Sequence, residues 1–250
     1  MIELVGVKKR FGAQIVLDGV DLTVEQGETM ALLGPSGTGK SVLLKHIIGL
    51  LRPDEGAVNV DGLLVAALSR EELRRLRQKV GYAFQMGALF DSMNVYENIR
   101  LGITDEALYA DRAYCDARVQ DCLRLVNLQP DVARKMPSEL SGGMKKRVGI
   151  ARAIAGKPDY ILYDEPTSGL DPVNADAMDA LIEQLQEELH VTSVVVSHDV
   201  RGAFKVADRI ALLKGGRIRK IGTAEEFLAS DDRDVREFLD RDFQLLGTGH

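Results

Sequence analysis

The stretch Gly34-Pro35-Ser36-Gly37-Thr38-Gly39-Lys40-Ser41 fits the phosphate-loop pattern G-x-x-x-x-G-K-[ST] at every fixed position. It follows the apolar run Thr29 to Leu33 and precedes an apolar helical pattern from Val42 to Leu51, which is the order that the motif requires. Its glycines let the backbone turn with the N–H groups inward, and the helix start favours phosphate. We therefore predict that the loop binds ATP or GTP, with Lys40 at the β and γ phosphates and Ser41 on Mg²⁺. The alternative is a glycine-rich turn capped by Ser41.

Length and composition limit the possible domain number, partners and membrane topology. At 250 residues, one domain with an inserted lobe is as plausible as two domains. The net charge is −6 and the Lys and Arg residues are interspersed, which argues against DNA or RNA as the main partner. The first ten residues lack a long apolar segment, and no stretch reaches the ~18 apolar residues that a bilayer span needs. We expect a cytosolic chain that does not itself cross a membrane.

The two cysteines, Cys115 and Cys122, lie seven positions apart in a helical pattern. Such a spacing separates them by about 10 Å along the helix axis, which is beyond disulfide reach. We expect reduced thiols without a metal site around them.

The N-terminal region predicts antiparallel β-structure. Ile2 to Val7 and Ala13 to Val24 are β-rich, and a short charged loop that ends in Phe11-Gly12 separates them. Phe11 could stack on an adenine base, or its ring could fill the hairpin.

Polar residues follow three further predicted strands. Gln85 follows Val80 to Phe84 and suits Mg²⁺ or the attacking water, the alternative being a surface turn residue. Asp164 and Glu165 end an apolar strand, where one carboxylate can hold Mg²⁺ and the next can activate water. His198 follows the run Val191 to Val196 and could hydrogen-bond the γ phosphate.

The run Leu140-Ser141-Gly142-Gly143-Met144-Lys145-Lys146-Arg147 predicts a second anion site. Its Ser and Gly residues stand at a helix start, where N–H groups and the helix dipole meet a negative group. A Ser-Gly-Gly helix start is a weak signal by itself. The segment Ser168-Gly169-Leu170-Asp171 follows the acidic pair closely.

Between the two groups of strands, Val95 to Asn127 has a helical pattern, which predicts an inserted helical lobe. The apolar run Met86 to Phe90 precedes it. That run either faces a partner or is buried under the lobe.

Taken together, these motifs resemble those of the nucleotide-binding subunit of ABC transporters, in the family order and over nearly the whole chain. The resemblance identifies residues 34–41 as Walker A, Gln85 as the Q-loop, residues 140–144 as the signature, residues 161–164 as Walker B, Glu165 as the catalytic base, residues 168–171 as the D-loop and His198 as the switch histidine. Two positions depart from the family, since Met144 replaces the usual Gln and Phe11 the usual Tyr.

The resemblance implies an ATP- and Mg²⁺-dependent ATPase in which the signature of one copy closes over the γ phosphate held by a second copy. The implied catalytic residues are Glu165, His198, Gln85 and Lys40. The implied Mg²⁺ ligands are Ser41, Gln85 and Asp164. The implied nucleotide contacts are Phe11, the whole Walker A loop from Gly34 to Ser41, Ser141, Gly142, Gly143 and Asp171.

The segments Phe84 to Ile99 and Lys45 to Leu50, with the Met-ending signature, are similar to the ATPase of Mla-type phospholipid transporters. This similarity implies a permease, an MCE lipid-binding protein and a small cytoplasmic regulatory subunit as partners, at the cytoplasmic face of the inner membrane. One alternative is an importer of small polar solutes such as amino acids. Another is a soluble ABC-type ATPase acting on nucleic acid or the ribosome, which the lack of a coiled-coil insertion between residues 41 and 140 disfavours.

The predicted fold class is α/β, a P-loop NTPase core with a mostly parallel sheet, an N-terminal antiparallel β portion and an inserted helical signature lobe. We predict the ATP-binding core at residues 1–86 and 156–222, the helical lobe at 87–155 and a helical appendage at 223–250. In the appendage, Val235, Phe238, Leu239 and Phe243 form an apolar stripe. The stripe packs either on its own subunit or on another ATPase copy or regulatory protein.

Overall fold

The computed structural model describes residues 1–247, with side chains as far as residue 240. The chain forms two compact units, one of Met1–Leu73 with the residues from Val194 onward, the other of Arg74–Ser193. The boundaries 87 and 155 of the helical lobe remain a prediction. Among the described residues, no helix combines the length and apolarity that a membrane span needs.

The first unit contains the antiparallel sheet predicted from the N-terminal sequence, in the strand order β2-β1-β4-β5. Alternate residues of β1, such as Ile2 and Leu4, are buried, because successive side chains of a strand point to opposite faces. β1 continues through the charged segment that we expected to be loop, as far as Phe11. The strands are β1 (Ile2–Phe11), β2 (Gln14–Val24), β4 (Glu55–Val60) and β5 (Leu63–Leu64).

A second sheet in this unit has the order β10-β9-β3-β8, with β3 and β9 parallel and β9 and β10 antiparallel. Every residue of β3 is buried, as expected for a strand covered on both faces. The strands are β3 (Thr29–Leu33), β8 (Thr192–Ser197, which begins in the other unit), β9 (Arg209–Lys214) and β10 (Arg217–Gly222). The helices are α1 (Lys40–Ile47), α2 (Arg70–Gln78, which ends in the other unit), α8 (Val200–Val206), α9 (Ala224–Leu228) and α10 (Arg233–Gly247).

The second unit pairs β6 (Val80–Ala83) with β7 (Tyr160–Asp164) in parallel. Its helices are α3 (Val95–Arg100), α4 (Glu106–Ala110), α5 (Arg112–Leu125), α6 (Gly142–Ile154) and α7 (Pro172–Leu189). The expected helical pattern from Val95 to Asn127 is thus three helices. Capping side chains explain the breaks, because Asp105 and Asp111 each accept an N–H from the residue three positions later.

The C-terminal stripe packs on its own unit at the positions that the structure describes. Val235 and Leu239 are buried in a core cluster, and Phe238 packs against it. Their neighbours in this cluster include Leu33 of β3, Leu212 of β9 and Phe227 of α9. For these positions, the alternative that the stripe packs on a partner is wrong. The Phe243 side chain lies outside the described residues.

Candidate nucleotide-binding site

The loop Gly34 to Ser41 lies between β3 and α1, as its sequence motif predicts. Its three glycines have φ angles of 153°, 78° and 102°, a region that other residues rarely adopt. A Cβ on Gly34 would collide with the carbonyl oxygen of Leu213, and one on Gly39 would lie 2.7 Å from Cγ1 of Val16. Packing and backbone conformation therefore both require glycine at these two positions.

Lys40 is buried, and its ammonium points back into the loop. Its Nζ donates to the carbonyl oxygens of Gly34 at 2.7 Å and Pro35 at 3.1 Å, and Thr38 Oγ1 donates to the same Pro35 oxygen at 2.8 Å. These carbonyl oxygens orient the ammonium within the loop, where a cation attracts an anion. The loop therefore fits phosphate, and the half-buried Ser41 brings a hydroxyl to the first turn of α1.

Phe11 lies at the hairpin between β1 and β2 with 48% of its surface exposed. The Nζ atom of Lys9 lies 5.7 Å from the centre of the ring. An exposed ring does not fill a hairpin, so that alternative is wrong. About half of the Phe11 surface remains exposed beside Lys9, and base stacking remains a prediction.

In the second unit, the acidic pair lies at the end of β7. Asp164 is buried, and its Oδ2 accepts a hydrogen bond of 2.9 Å from the hydroxyl of Tyr82 on β6. Burial and the nearby charge of Asp164 raise the pKa of Tyr82, so the hydroxyl stays protonated as a donor. Glu165 has a φ of 52°, which is uncommon for a residue other than glycine. The chain therefore turns sharply where the predicted base lies.

Gln85 is exposed just beyond β6, and its Nε2 donates to Ser168 Oγ at 3.3 Å. The structure thus brings together the predicted Q-loop and D-loop. The residues after Gln85 are hydrogen-bonded to α6, because Arg152 donates to the carbonyl oxygens of Gly87 at 2.9 Å and Ala88 at 2.8 Å.

The apolar run after Gln85 is largely open to solvent. Met86 and Phe90 are 78% and 53% exposed, while Leu89 is half-buried. Burial under the lobe is therefore wrong for Met86 and Phe90. The fully buried Asn98 holds this run, since its Oδ1 accepts from Phe90 N at 2.8 Å and its Nδ2 donates to Met93 O at 2.9 Å.

The signature residues lie at the start of α6. Ser141 is the N-cap, and its Oγ accepts from Met144 N at 3.3 Å, so the helix start forms normally with Met at this position. Gly142 is exposed, and a Cβ there would meet no described atom within 4 Å. Packing within the chain therefore does not require this glycine.

The remaining predicted site residues also lie at helix starts. Asp171 caps α7, accepting from Asn174 N at 3.1 Å and Asn174 Nδ2 at 2.6 Å, and these bonds lower the pKa of Asp171. His198 is exposed directly after β8 and directly before Asp199, which caps α8. His198 thus lies at the end of a strand, as its sequence position predicts, and Asp171 lies at the end of the segment that follows the acidic pair.

Sequence reasoning missed several residues that shape the site, namely Tyr82, Asn98, Lys146 and Arg152. Lys146 carried a usable signal, because it shares one helix face with the apolar residues Ile150 and Ile154 at a spacing of four. A lysine on an apolar face needs a buried partner.

Residues 17–168 match the family described as ABC transporter. This match covers more than half of the chain, which therefore belongs to the ABC transporter family. Within the family it is an ATPase of the ATP-binding cassette class.

Two named relatives carry different transport functions. The chain is 42% identical over 238 residues to the probable ribonucleotide transport ATP-binding protein mkl of Mycobacterium bovis, covering 95% of this chain and 66% of that protein. It is 39% identical over 240 residues to the intermembrane phospholipid transport system ATP-binding protein MlaF of Escherichia coli, covering 96% of this chain and 88% of that protein. The chain thus spans only part of the mycobacterial relative's length.

Solved structures of the same class resemble this fold closely. The ATP-binding cassette MJ0796, in a dimeric post-hydrolysis state with ADP and phosphate, has a TM-score of 0.80 at 34% identity, covering 89% of this chain and 98% of that chain. The cbiO1 protein of Clostridium perfringens, part of the cbiONQ transporter complex, has a TM-score of 0.83 at 28% identity, covering 98% of each chain. The predicted fold class is confirmed.

Proposed function

We propose that this chain is the ATP-hydrolysing subunit of a transporter that moves phospholipid between the membranes of a Gram-negative cell. The observation that carries the proposal is the similarity to MlaF proteins, which extends over 96% of the chain and 88 to 90% of those proteins. The phosphate loop, with its buried Lys40 and its glycine-dependent turns, supports ATP as the energy source.

The proposed mechanism is in-line attack of water on the γ phosphorus, with a new oxygen–phosphorus bond forming as the bond to ADP breaks. Lys40 binds the β and γ phosphates, and Glu165 accepts the proton of the attacking water. His198 donates a hydrogen bond to the γ phosphate. Mg²⁺, when bound by Ser41, Gln85 and Asp164, would neutralise part of the phosphate charge.

We further propose that two copies of the chain share each ATP. The exposed helix start at Ser141 and Gly142 supports this, because a residue without a side chain leaves room for a phosphate brought by another copy. The related cassette MJ0796 was solved as a dimer. Ser141, Gly142, Gly143 and Asp171 would then complete the site of the second copy.

The proposed location is the cytoplasmic face of the inner membrane, where permease subunits hold the chain peripherally. An MCE lipid-binding protein and a small cytoplasmic regulatory subunit are proposed as further partners, and nucleic acid is not. Isolation of the chain from detergent-solubilised membranes, followed by mass spectrometry and lipid analysis, tests this assignment. A co-purifying permease with bound phospholipid supports it.

The 42% identity to mkl favours a second candidate, the ATPase of a ribonucleotide transporter. Co-purifying membrane subunits that bind a nucleotide and no phospholipid would establish this candidate instead. An ATPase with no membrane partner would contradict both.

The hydrolysis roles are tested with two variants. Lys40→Ala is expected to lose ATP binding, because the phosphates lose their buried cation. Glu165→Gln is expected to retain ATP and to hydrolyse it roughly 10²- to 10⁴-fold more slowly, leaving a trapped dimer. Equilibrium binding, steady-state hydrolysis and oligomer mass are the measurements. A Glu165→Gln variant of near wild-type rate would show that the base is another group.

A further inference from the structure

Lys146 lies in the second turn of α6, five residues after the N-cap Ser141, and is only 7% exposed. Its Nζ donates to three backbone carbonyl oxygens, those of Glu165 at 3.2 Å, Pro166 at 2.9 Å and Ser168 at 2.6 Å. An ammonium group has three donors, and all three are used on one short segment.

This segment follows β7 immediately and has an unusual backbone. Glu165 adopts a φ of 52°, which costs free energy for a residue with a side chain and persists only where its surroundings hold it. Within the segment, Ser168 N also donates to Glu165 O at 3.2 Å, closing a turn. Lys146 thus binds both ends of the turn that carries Glu165.

The same turn contacts the predicted Q-loop. Ser168 accepts a hydrogen bond from Gln85 Nε2 on its side-chain oxygen and from Lys146 on its carbonyl oxygen. Burial lowers the pKa of Lys146, whereas the charge of Glu165 acts in the opposite direction. The ammonium and the Glu165 carboxylate therefore interact electrostatically as well as through the backbone.

We propose that Lys146 is a positioning residue for ATP hydrolysis, which holds the Glu165–Ser168 turn so that the Glu165 carboxylate faces the attacking water. This inference rests on the proposed role of Glu165. Lys146 itself makes no contact with the reacting atoms in this proposal. Loss of its ammonium removes one donor from each of these three carbonyl groups and leaves the Glu165 oxygen with the bond from Ser168 N, so the turn relaxes and the base is displaced.

The test compares Lys146→Met with Lys146→Arg in the full-length chain. We expect Lys146→Met to lower kcat about tenfold or more, because small misplacements of a catalytic group are costly, and to change the KM for ATP less than about twofold. Lys146→Arg keeps a charged donor and is expected to recover part of the lost rate. The matched control is Lys157→Met, which removes an exposed charge three residues beyond the end of α6 and should leave kcat within about twofold of wild type.

Combination with Glu165→Gln separates positioning from general damage. If Lys146 acts through Glu165, then Lys146→Met lowers the rate of the Glu165→Gln variant little further, since the base is already missing. The proposal is overturned if the two substitutions together lower the rate by the product of their separate factors. It is also overturned if a folded Lys146→Met chain has the wild-type kcat. If Lys146→Met does not fold, Lys146→Gln replaces it: Gln loses the charge and one of the three donors, so kcat should fall by a smaller factor, and an unchanged kcat would contradict the proposal.

Hydrogen exchange without nucleotide gives a readout that needs no hydrolysis. Peptides covering residues 165–170 should exchange faster in Lys146→Met and at the wild-type rate in Lys157→Met. Unchanged exchange in Lys146→Met contradicts the proposal. A wild-type chain that does not hydrolyse ATP would overturn the proposed function instead, and the exchange experiment would still test whether Lys146 holds the turn.

Discussion

The hydroxyl of Tyr82 donates a hydrogen bond of 2.9 Å to Oδ2 of Asp164, linking the neighbouring strands β6 and β7 at the point where the acidic pair begins. This bond fixes the rotation of a buried carboxylate that we propose to ligate Mg²⁺. Because the Tyr82 hydroxyl is neutral, this bond does not itself neutralise the charge of Asp164.

Tyr82→Phe removes only the donor. We expect the free energy of unfolding to fall by about 1 to 3 kcal/mol, since a buried carboxylate loses a hydrogen bond. The Mg²⁺ concentration for half-maximal hydrolysis should rise because the carboxylate is less well oriented. Denaturant unfolding and a Mg²⁺ titration are the measurements. Tyr114→Phe is the control, because the Tyr114 hydroxyl has no hydrogen bond within the described part of the chain. Equal effects of the two changes would refute the role of Tyr82.

The exposed apolar run beside Gln85 predicts a docking surface for a membrane subunit. Met86→Asp places a charge on a side chain that is 78% exposed, so the isolated chain should remain stable. Recovery of the permease with the purified chain should fall several-fold. Leu63→Asp is the control, because Leu63 is 52% exposed on β5, in the other unit. Undiminished recovery with Met86→Asp would rule out docking at this run.

Arg118 stabilises the C-terminal end of α6. Its guanidinium is buried and donates to the carbonyl oxygens of Ile154 at 2.6 Å and Ala155 at 3.0 Å. Arg118→Met should lower the free energy of unfolding by about 2 to 4 kcal/mol, because these carbonyls lose a charged donor. Arg124→Met, which removes an exposed ion pair with Asp121, should cost less than about 1 kcal/mol. Urea denaturation distinguishes the two, and similar costs would contradict the prediction.

Truncation after Ser230 removes the C-terminal stripe from its own core. We expect the loss of Val235 and Leu239 to lower the free energy of unfolding by roughly 3 to 6 kcal/mol, at about 1.5 to 3 for each buried side chain. The fraction of folded molecules that associate with another ATPase copy or a regulatory protein should be unchanged. The melting temperature by calorimetry, the nucleotide affinity and the oligomer mass are measured on the same preparation. Leu228→Ala is the control, since Leu228 is 51% exposed. A truncated chain of normal melting temperature that fails to associate would restore the interface hypothesis.

The thiol of Cys122 should be unreactive in the folded chain. Burial raises the pKa of Cys122 to about 11, so at pH 8 its thiolate fraction is smaller than that of an exposed thiol. Mass spectrometry after iodoacetamide treatment should find both buried cysteines unmodified in native buffer and modified in denaturant. Rapid modification of Cys122 in native buffer would show that α5 opens.

Much of the site was predictable from the sequence because its motifs are local. The glycines of the phosphate loop, the helix start at Ser141 and the polar residues after strands depend on short-range backbone geometry, which short patterns encode. The sequence by itself therefore determined the phosphate loop, the acidic pair and the family resemblance.

Only the tertiary structure decided which residues support this site. The contacts of Tyr82 with Asp164 and of Lys146 with the Glu165–Ser168 turn join segments separated by 82 and by 19 to 22 positions. No local pattern specifies such pairs, because they depend on strand order and on how α6 packs. The same reason applies to the tail, whose stripe was visible in sequence. The sequence did not predict that this stripe packs against β3 and β9. An apolar stripe indicates that a helix face is buried, but it does not specify which surface covers that face.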